Sequence, residues 1–384
     1  MRIVHTGDWH LGKRLCEVSL LDDQAHALEQ VLAVCRDERA DALVIAGDLY
    51  DRAVPPVEAV ELLSDFLGRV VGDLGIQVIA ISGNHDSPER LGFGAELLED
   101  ARVHFLTRYA ARSRPVVLER GKRRLHLYGL PYVTPEPGAG HDGAVRAALT
   151  AMHQDRKERR ADEAMLIAHL FAEGGMESVD SERPLAIGGA GRVGPHTLHG
   201  WSYVALGHLH RPQTVFGRED VRYAGSLLKY SIAETDHEKG VTLVEMLMGR
   251  AVARPLRLTP RRDLVRIVGS FDELMLDPRF SAAESAYVEA MYTDAGYVVD
   301  AARRLRKRYP HLLAAVPEKL TRLLEGGTAP ARPPAAAGEL LAGFWRYVEG
   351  EDLPADEGYR TAFEEALAAA RVELAEDVAC DRAS

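Results

Sequence analysis

Cysteine is scarce in this chain of 384 residues, which contains three of them. Cys16, Cys35 and Cys380 have neither the close spacing of a zinc site nor the even number of a disulfide framework. Such sparse use of cysteine is typical of a reducing compartment. No apolar run approaches the roughly 20 residues that a membrane-spanning helix needs. We therefore expect a cytoplasmic protein that does not enter a membrane.

Basic residues are outnumbered by acidic ones. The chain has 47 lysine and arginine residues against 58 aspartate and glutamate residues, and its formal net charge is −11. This balance argues against a protein that holds nucleic acid by its overall charge, although it allows local basic patches. Two basic clusters occur, at 120–124 and 303–308. Each is either a solvated surface or a contact for a phosphate backbone, and the sequence leaves both interpretations open.

Material for a core is plentiful, at 46% hydrophobic residues, and the length suggests two or three domains. Strand and helix patterns alternate up to about residue 82, as in βαβ units, and short strands dominate after residue 103. The expected fold class is α/β, with a two-layer β-sandwich flanked by helices. We predict a first domain over residues 1–258, a small α+β domain over 259–325, a linker over 326–338 and C-terminal helices over 339–384.

Five apolar segments end in an aspartate, an asparagine or a histidine, in most cases directly after a glycine. The clearest is Val78–Ser82, which leads into Gly83, Asn84, His85 and Asp86. Ligand sites in open α/β sheets lie at the carboxyl ends of the strands, so we expect such residues to converge on one crevice. The candidates at the five endings are Asp8, His10, Asp48, Asn84, His169, His208 and His210.

These seven side chains form a typical set of metal ligands. They offer carboxylate, amide and imidazole groups and no thiolate, which suits Mn²⁺, Fe or Mg²⁺ better than a structural zinc. Seven ligands are too many for one tetrahedral ion, but they suit two six-coordinate ions that share a carboxylate, as in hydrolysis of phosphoesters. We assign the bridge to Asp48. A single Asp or His at a strand end is more often a turn former, whereas seven in matching loops favour a metal centre.

His85 is the remaining imidazole beside a candidate ligand. A histidine titrates near neutral pH, so His85 is the candidate to contact the substrate phosphate and to protonate the leaving oxygen. Asp86 and Asp51 are the candidates to fix its tautomer by accepting a ring proton. Because side chains alternate along extended backbone, Trp9 and Leu209 are predicted to point into the core, away from the ligands on either side of them.

The order of these motifs resembles that of the calcineurin-like metallophosphoesterases: Asp-x-His, Gly-Asp, Gly-Asn-His-Asp, a lone His and Gly-His-x-His, between Asp8 and His210. Further details are similar to the nuclease subunits of bacterial ATPase–nuclease complexes. These details lie in Asp8–Gly12, Gly47–Asp51, Tyr223–Ser226 and Glu238–Gly240. The resemblance covers nearly the whole chain, and it implies the metallophosphoesterase fold.

The resemblance also implies a ligand assignment. Two Mn²⁺ ions are expected, with Mg²⁺ as a substitute, and His85 is expected to be catalytic. The first ion would be held by Asp8, His10, Asp48 and His210. The second ion would be held by Asp48, Asn84, His169 and His208.

The partners implied by the resemblance are an SbcC-type coiled-coil ATPase, DNA ends and DNA hairpins. The domain at 259–325 would cap the active site, and the helices at 339–384 would bind the ATPase. Two copies would pair through residues 57–74 and 88–98, giving a homodimer within a heterotetramer. The implied activity is exonuclease action on duplex ends and endonuclease action on hairpins or single strands. The residues by themselves leave two alternatives open, a small-molecule phosphodiesterase and a DNA-end-tethering subunit.

Overall fold

The computed structural model of this chain describes residues 1–109, 114–133, 140–161, 163–178, 192–296, 298–319, 345–346 and 361. The linker predicted over 326–338 and nearly all of the helices predicted over 339–384 lie outside these residues. The described chain divides into two compact units. The first comprises Met1–Ile267, Pro278–Glu289 and Arg306–Ala314, and the second comprises Val268–Asp277, Ala290–Leu305 and the described residues from Ala315 onward.

The secondary structure alternates between strands and helices up to β5 and is dominated by strands thereafter. The strands are β1 (Arg2–Thr6), β2 (Arg14–Leu15), β3 (Val18–Ser19), β4 (Ala42–Ile45), β5 (Gln77–Ile81), β6 (Val103–Leu106), β7 (Val116–Arg120), β8 (Arg123–Leu130), β9 (Ala164–His169), β10 (Phe171–Ala172), β11 (Arg192–Val193), β12 (Tyr203–Gly207), β13 (Gln213–Val215), β14 (Arg218–Tyr223), β15 (Gly240–Leu247), β16 (Arg250–Arg257), β17 (Leu264–Gly269), β18 (Tyr287–Tyr292) and β19 (Leu312–Pro317). The helices are α1 (Leu21–Asp37), α2 (Val57–Gly72), α3 (Pro88–Leu91), α4 (Ala95–Glu99), α5 (Gly140–Arg159), α6 (Phe271–Leu276) and α7 (Ala301–Leu305).

Two six-stranded sheets lie in the first unit. One has the order β16-β15-β1-β4-β5-β6, in which β1, β4, β5 and β6 are parallel and β15 runs antiparallel to β1. The other has the order β13-β14-β12-β9-β8-β7, in which β8, β9, β12 and β14 are parallel. Parallel strands are usually covered on both faces, and the central strands are accordingly apolar along their length. Each sheet therefore needs a covering layer on either side.

Side-chain alternation along the strands builds these layers. Val44 of β4 and Ile79 of β5 pack with Met165 and Ile167 of β9, so one face of each sheet is covered by the other sheet. Residues one position along the same strands, such as Leu43, pack instead against α1 and α2. Helix α5 covers the outer face of the second sheet through Val145, Leu149 and Met152. The predicted two-layer β-sandwich flanked by helices is confirmed.

The elements after the sandwich are of mixed α+β type. Strands β17, β18 and β19 form a three-stranded sheet. In the second unit, Ser270 and Glu273 form a capping box at the start of α6, and the Phe271 amide donates to the Asp294 carboxylate at 2.6 Å. Among the residues that the structure describes, none of the helices is long and apolar enough to cross a membrane.

A buried histidine joins the two sheets. His5 on β1 is fully buried, and its ring nitrogens lie 3.1 Å from the Tyr203 hydroxyl and 3.2 Å from the Leu206 carbonyl oxygen. Burial, partly offset by the hydrogen bond to Leu206, lowers the pKa of His5 to about 3. The histidine is therefore neutral in the folded protein at all but strongly acidic pH.

We predict that His5 makes the protein sensitive to mild acid. Between about pH 3 and 6.5 the unfolded chain binds a proton at His5 that the folded chain does not, so stability falls as the pH is lowered through this range. From pH 7 to pH 5 this group alone removes about 2 kcal/mol from the free energy of unfolding. His5→Gln, which keeps polar atoms for Tyr203 and Leu206, is expected to reduce the acid sensitivity by that amount in urea titrations at both pH values.

The matched control is His199→Gln, because His199 is exposed. This variant is expected to follow the wild-type dependence on pH. Identical pH dependence of wild type and His5→Gln would contradict the prediction.

Candidate metal centre

The seven predicted ligands converge at one end of the sandwich. The first sheet supplies Asp8 after β1, Asp48 after β4 and Asn84 after β5, and the second supplies His169 at the end of β9 and His208 after β12. His10 and His210 follow two residues after Asp8 and His208. All are buried except Asn84, which is partly buried. Trp9 and Leu209 are fully buried in two different apolar clusters, as predicted.

The ligand atoms fall into two groups that meet at Asp48. In the first group, His10 Nε2 lies 3.0 Å from His210 Nε2 and 3.6 Å from Asp48 Oδ2, and ligand atoms of Asp8, His10 and Asp48 lie within 4.8 Å of one another. In the second group, Asn84 Oδ1 lies 2.9 Å from His169 Nε2 and 3.3 Å from His208 Nδ1. His169 Nε2 is also 3.5 Å from Asp48 Oδ2. One oxygen of Asp48 therefore faces both groups.

These separations fit divalent cations. Donors bonded to one six-coordinate ion at about 2.1 Å lie about 3 Å apart when they are neighbours in its coordination sphere. The short distances within each group, from 2.9 to 3.6 Å, are close to this value. Nitrogens such as those of His10 and His210, which face each other across 3.0 Å, form a natural pair of donors for one ion. The donor set, with carboxylates, an amide and imidazoles, suits hard or borderline metals.

Three of the histidines are oriented through their second ring nitrogen. His169 Nδ1 lies 2.9 Å from the Ala46 carbonyl oxygen, and His210 Nδ1 lies 3.0 Å from Glu234 Oε1. His10 Nδ1 lies 3.5 Å from Asp51 Oδ1. Histidines that bind metals usually donate their other N–H in this way, which fixes the tautomer and the direction of the ring. In each case Nε2 is left to face the ligand groups.

Burial keeps the imidazoles in the form that binds metals. Burial lowers the pKa of His208 well below its ordinary value, and the neighbouring His169 and His210 lower it further. Burial likewise lowers the pKa of His10, although Asp51 acts in the opposite direction. A neutral imidazole has a lone pair available for a cation, whereas an imidazolium does not.

The loops that carry the ligands are strained. Asp8, His10, Asp48 and His208 have φ angles of 51°, 45°, 50° and 111°, in the region that favours glycine. Each such residue costs on the order of 1–3 kcal/mol and persists where surrounding contacts enforce it. Here the Asp8 amide donates to the Gly47 carbonyl oxygen and the His10 amide to the Asp48 carbonyl oxygen, both at 3.0 Å.

His85 lies beside the first group of ligands. Its ring centroid is 4.6 Å from that of His10, and its amide donates to Asp48 Oδ1 at 2.8 Å. Of the two residues expected to hold its ring, Asp51 makes a close contact, at 2.8 Å from His85 Nδ1, through its main-chain carbonyl oxygen. Asp86 instead shapes the loops, since its carboxylate accepts from the amides of Leu49, Tyr50 and Gly83.

Comparison with known proteins identifies the family. Residues 1–212 match the model of a family described as calcineurin-like phosphoesterase. The chain belongs to this family. The resemblance drawn from the motifs is confirmed, and the protein is a metal-dependent phosphodiesterase. Residues 260–339 match a second model, described as the type 5 capsule protein repressor C-terminal domain.

Similar proteins include two that are named as the D subunit of the nuclease SbcCD. The chain is 32% identical to that of Staphylococcus saprophyticus subsp. saprophyticus over 323 residues, which cover 82% of this chain and 84% of the relative. It is 32% identical to that of Staphylococcus epidermidis over 324 residues, with the same coverage. The crystal structure of TT1561 from Thermus thermophilus has a TM-score of 0.40 and 14% identity over 67% of this chain and 99% of that one, and this likeness bears no weight here.

Two residues near the centre of this phosphoesterase were missed by sequence reasoning. Glu234 is fully buried and contacts His210, and Lys239 donates to Glu234. Glu234 lies in a short 3₁₀ helix, Ile232–Glu234, and does not follow a strand. The search for polar residues at strand ends could not find it. Lys239 stood within a stretch of family resemblance, but nothing in its spacing indicated a role.

We predict that Gly83→Ala disrupts metal binding. A Cβ at Gly83 would collide with Asp48 Oδ1 and with the Asp48 amide nitrogen, so the carboxylate that faces both ligand groups has to move. Affinity for Mn²⁺, measured by isothermal titration calorimetry, is expected to fall about 10–100-fold. The control is Gly68→Ala in α2, where a Cβ meets nothing within 4 Å. Wild-type affinity in Gly83→Ala would contradict the predicted dependence on Asp48.

Proposed function

We propose that this phosphoesterase is a Mn²⁺-dependent DNA nuclease, the catalytic subunit of an SbcCD-type ATPase–nuclease complex that acts on DNA in the cytoplasm. The observation that carries the proposal is the convergence of seven buried or partly buried ligands around Asp48 Oδ2. The name shared by the relatives, whose length the chain covers to 84%, supports DNA as the substrate. The proposed activities are exonuclease cleavage at duplex ends and endonuclease cleavage of hairpins or single strands.

The proposed centre holds two ions. Asp48 would belong to both coordination spheres, which its distances to His10 and His169 support. Asp8, His10 and His210 would complete one site, and Asn84, His169 and His208 the other. The donor chemistry favours Mn²⁺, with Mg²⁺ as a substitute. Such ions supply Lewis-acid stabilisation of the charge that develops on the phosphoryl oxygens.

His85 is proposed to be the proton donor to the leaving oxygen. The Asp51 carbonyl oxygen can only accept a hydrogen bond, so His85 Nδ1 carries the proton of that 2.8 Å contact. Nε2 is then the atom that gains or loses a proton during turnover. The contact between the His85 amide and Asp48 Oδ1 ties the loop of the acid to the bridging ligand.

The basic cluster at 120–124 is not part of the proposed DNA site. Its arginines form ion pairs with carboxylates: Arg120 with Asp41 at 3.2 Å, Arg123 with Glu163 at 2.7 Å and Arg124 with Glu119 at 2.8 Å. Arg123 also donates to the Met246 carbonyl oxygen. These contacts favour the interpretation as a solvated, structural surface over contact with a phosphate backbone.

The proposed partners follow the same resemblance. Residues 1–258 would form the nuclease domain, 259–325 the capping domain and 326–338 the linker, and the helices at 339–384 would bind a coiled-coil ATPase of the SbcC type. The family-model match over 260–339 supports a separate module after the nuclease domain.

A homodimer within a heterotetramer is proposed to form through α2, α3 and α4. A groove of about 690 Å³ runs beside these helices, lined by apolar residues such as Leu63, Leu67 and Phe105. Phe93 and Leu97, at 87% and 83% exposure, lie in the same stretch of chain. Exposed apolar side chains around a groove are typical of an interaction surface.

We expect the purified chain with Mn²⁺ to cleave a labelled DNA hairpin, and cleavage to rise when its coiled-coil ATPase and ATP are added. Bis-p-nitrophenyl phosphate serves as the small diester control. Turnover of the small diester without DNA cleavage in either condition would instead support a small-molecule phosphodiesterase. DNA binding without turnover of either substrate would support an end-tethering subunit.

We expect His85→Ala to separate chemistry from binding. Cleavage should fall about 10²–10⁴-fold, because the proton donor is lost, whereas affinity for Mn²⁺ and for DNA should stay within about threefold of wild type. The exposed His196→Ala is the control and should cleave like the wild type. Unchanged turnover in His85→Ala would rule out its catalytic role.

A further inference from the structure

A buried ion pair lies directly behind one of the proposed metal ligands. Glu234 is fully buried and Lys239 is 6% exposed, and Lys239 Nζ donates to Glu234 Oε2. Such pairs give little net stability, because desolvation of both charges offsets their attraction, and apolar substitutes of similar size often stabilise a protein as well or better. The presence of this pair therefore calls for an explanation other than stability.

Both members of the pair contact His210. Glu234 Oε1 lies 3.0 Å from His210 Nδ1, and Lys239 Nζ donates to the His210 carbonyl oxygen at 2.8 Å. Lys239 also donates to Ser226 Oγ at 2.8 Å, and the Ser226 amide donates to the same His210 carbonyl oxygen at 3.2 Å. We call Glu234, Lys239 and Ser226 the His210 clamp. It holds both the ring and the main chain of this histidine.

The clamp determines which nitrogen of His210 faces the metal centre. An ionised carboxylate can only accept a hydrogen bond, so His210 Nδ1 carries the proton and Nε2 carries the lone pair. Nε2 is the atom that lies 3.0 Å from His10 Nε2 among the first group of ligands. Lys239 keeps Glu234 ionised by compensating its charge, and the carboxylate in turn increases the basicity of the imidazole.

His10, on the other side of this position, is held more loosely. Its Nδ1 lies 3.5 Å from Asp51 Oδ1, and Asp51 pairs with Lys13 at 2.9 Å. The side chains of Asp51 and Lys13 are 15% and 20% exposed, whereas those of Glu234 and Lys239 are 0% and 5% exposed. The shorter and drier of the two carboxylate contacts is therefore the one to His210.

We propose that Glu234 is a positioning residue for the metal ion bound by His210, and that Lys239 and Ser226 hold it in place for this role. The inference rests on the proposed function, because it assumes that His210 is a metal ligand. It also gives a role to Tyr223–Ser226 and Glu238–Gly240, two stretches of the sequence that the ligand set leaves unexplained. Glu234 acts through His210 and is not itself a catalytic residue.

The test uses variants that keep the buried charge balanced. Glu234→Ala with Lys239→Met removes the acceptor for His210, whereas Glu234→Gln with Lys239→Met removes the charges but keeps an amide oxygen that accepts from His210 Nδ1. Titration with Mn²⁺ by calorimetry reports the affinity of each ion, and electron paramagnetic resonance reports whether two ions are coupled. The alanine variant is expected to bind one ion about 10–100-fold more weakly and the other within threefold of wild type. The glutamine variant should recover most of the affinity.

The control is Asp236→Asn. Asp236 is an exposed acid that pairs with Arg211 at 2.7 Å and lies two residues from Glu234 in the chain, and its loss should leave both affinities unchanged. Thermal unfolding midpoints of the two double variants should agree with each other, so that any difference in metal binding between them reflects the contact to His210.

Three outcomes would overturn the proposal or its basis. Wild-type affinity for both ions in the alanine variant would overturn the role of Glu234. Equal weakening of both ions in the alanine and glutamine variants would show a purely structural role and would also overturn it. A wild-type protein that binds fewer than two Mn²⁺ ions would instead overturn the two-metal centre on which the inference rests.

Discussion

The placement of one buried carboxylate, that of Asp48, governs the rest of the metal centre. Its Oδ1 accepts from the His85 amide, and its Oδ2 lies 3.6 Å from a nitrogen of His10 and 3.5 Å from one of His169. A single oxygen can face ligands from two sheets only where the carboxyl ends of both sets of strands lie side by side. The packing of the two sheets against each other is thus a condition for the chemistry as well as for stability.

This arrangement costs stability at the site itself. Asp8, His10 and Asp48 have left-handed backbone conformations, and the pKa values of His10 and His208 are lowered by burial. Strain and buried polar groups of this kind persist where the surroundings enforce them. Here the surroundings are the three apolar clusters of the sandwich and its helices, whose members are almost entirely removed from water. A bound cation would recover part of the cost by binding to the folded chain.

The acceptors that orient the three histidines differ in kind. His169 faces a main-chain carbonyl oxygen, His10 a partly exposed carboxylate, and His210 a carboxylate within a buried ion pair. A main-chain acceptor cannot be altered by a side-chain substitution, whereas the two carboxylates can. Changes at Asp51 or Glu234 are therefore the natural way to vary this centre without replacing a ligand.

The sequence by itself determined the ligand set, the candidate acid and the layered fold. These follow from local patterns: apolar strands of limited length, glycine before a polar residue, and the alternation that buries Trp9 and Leu209 between ligands. The convergence of the ligands could be predicted because the carboxyl ends of parallel strands meet at one edge.

Only the tertiary structure decided how the ligands are held. The contact of His169 with Ala46 joins residues 123 positions apart, and that of His210 with Glu234 joins residues 24 apart. The acceptor for His85 is the main chain of Asp51, which every residue type carries and which no sequence pattern can reveal. Such contacts depend on how loops from separate strands pack together, so Glu234 and Lys239 could be recognised only once the two sheets had brought them beside His210.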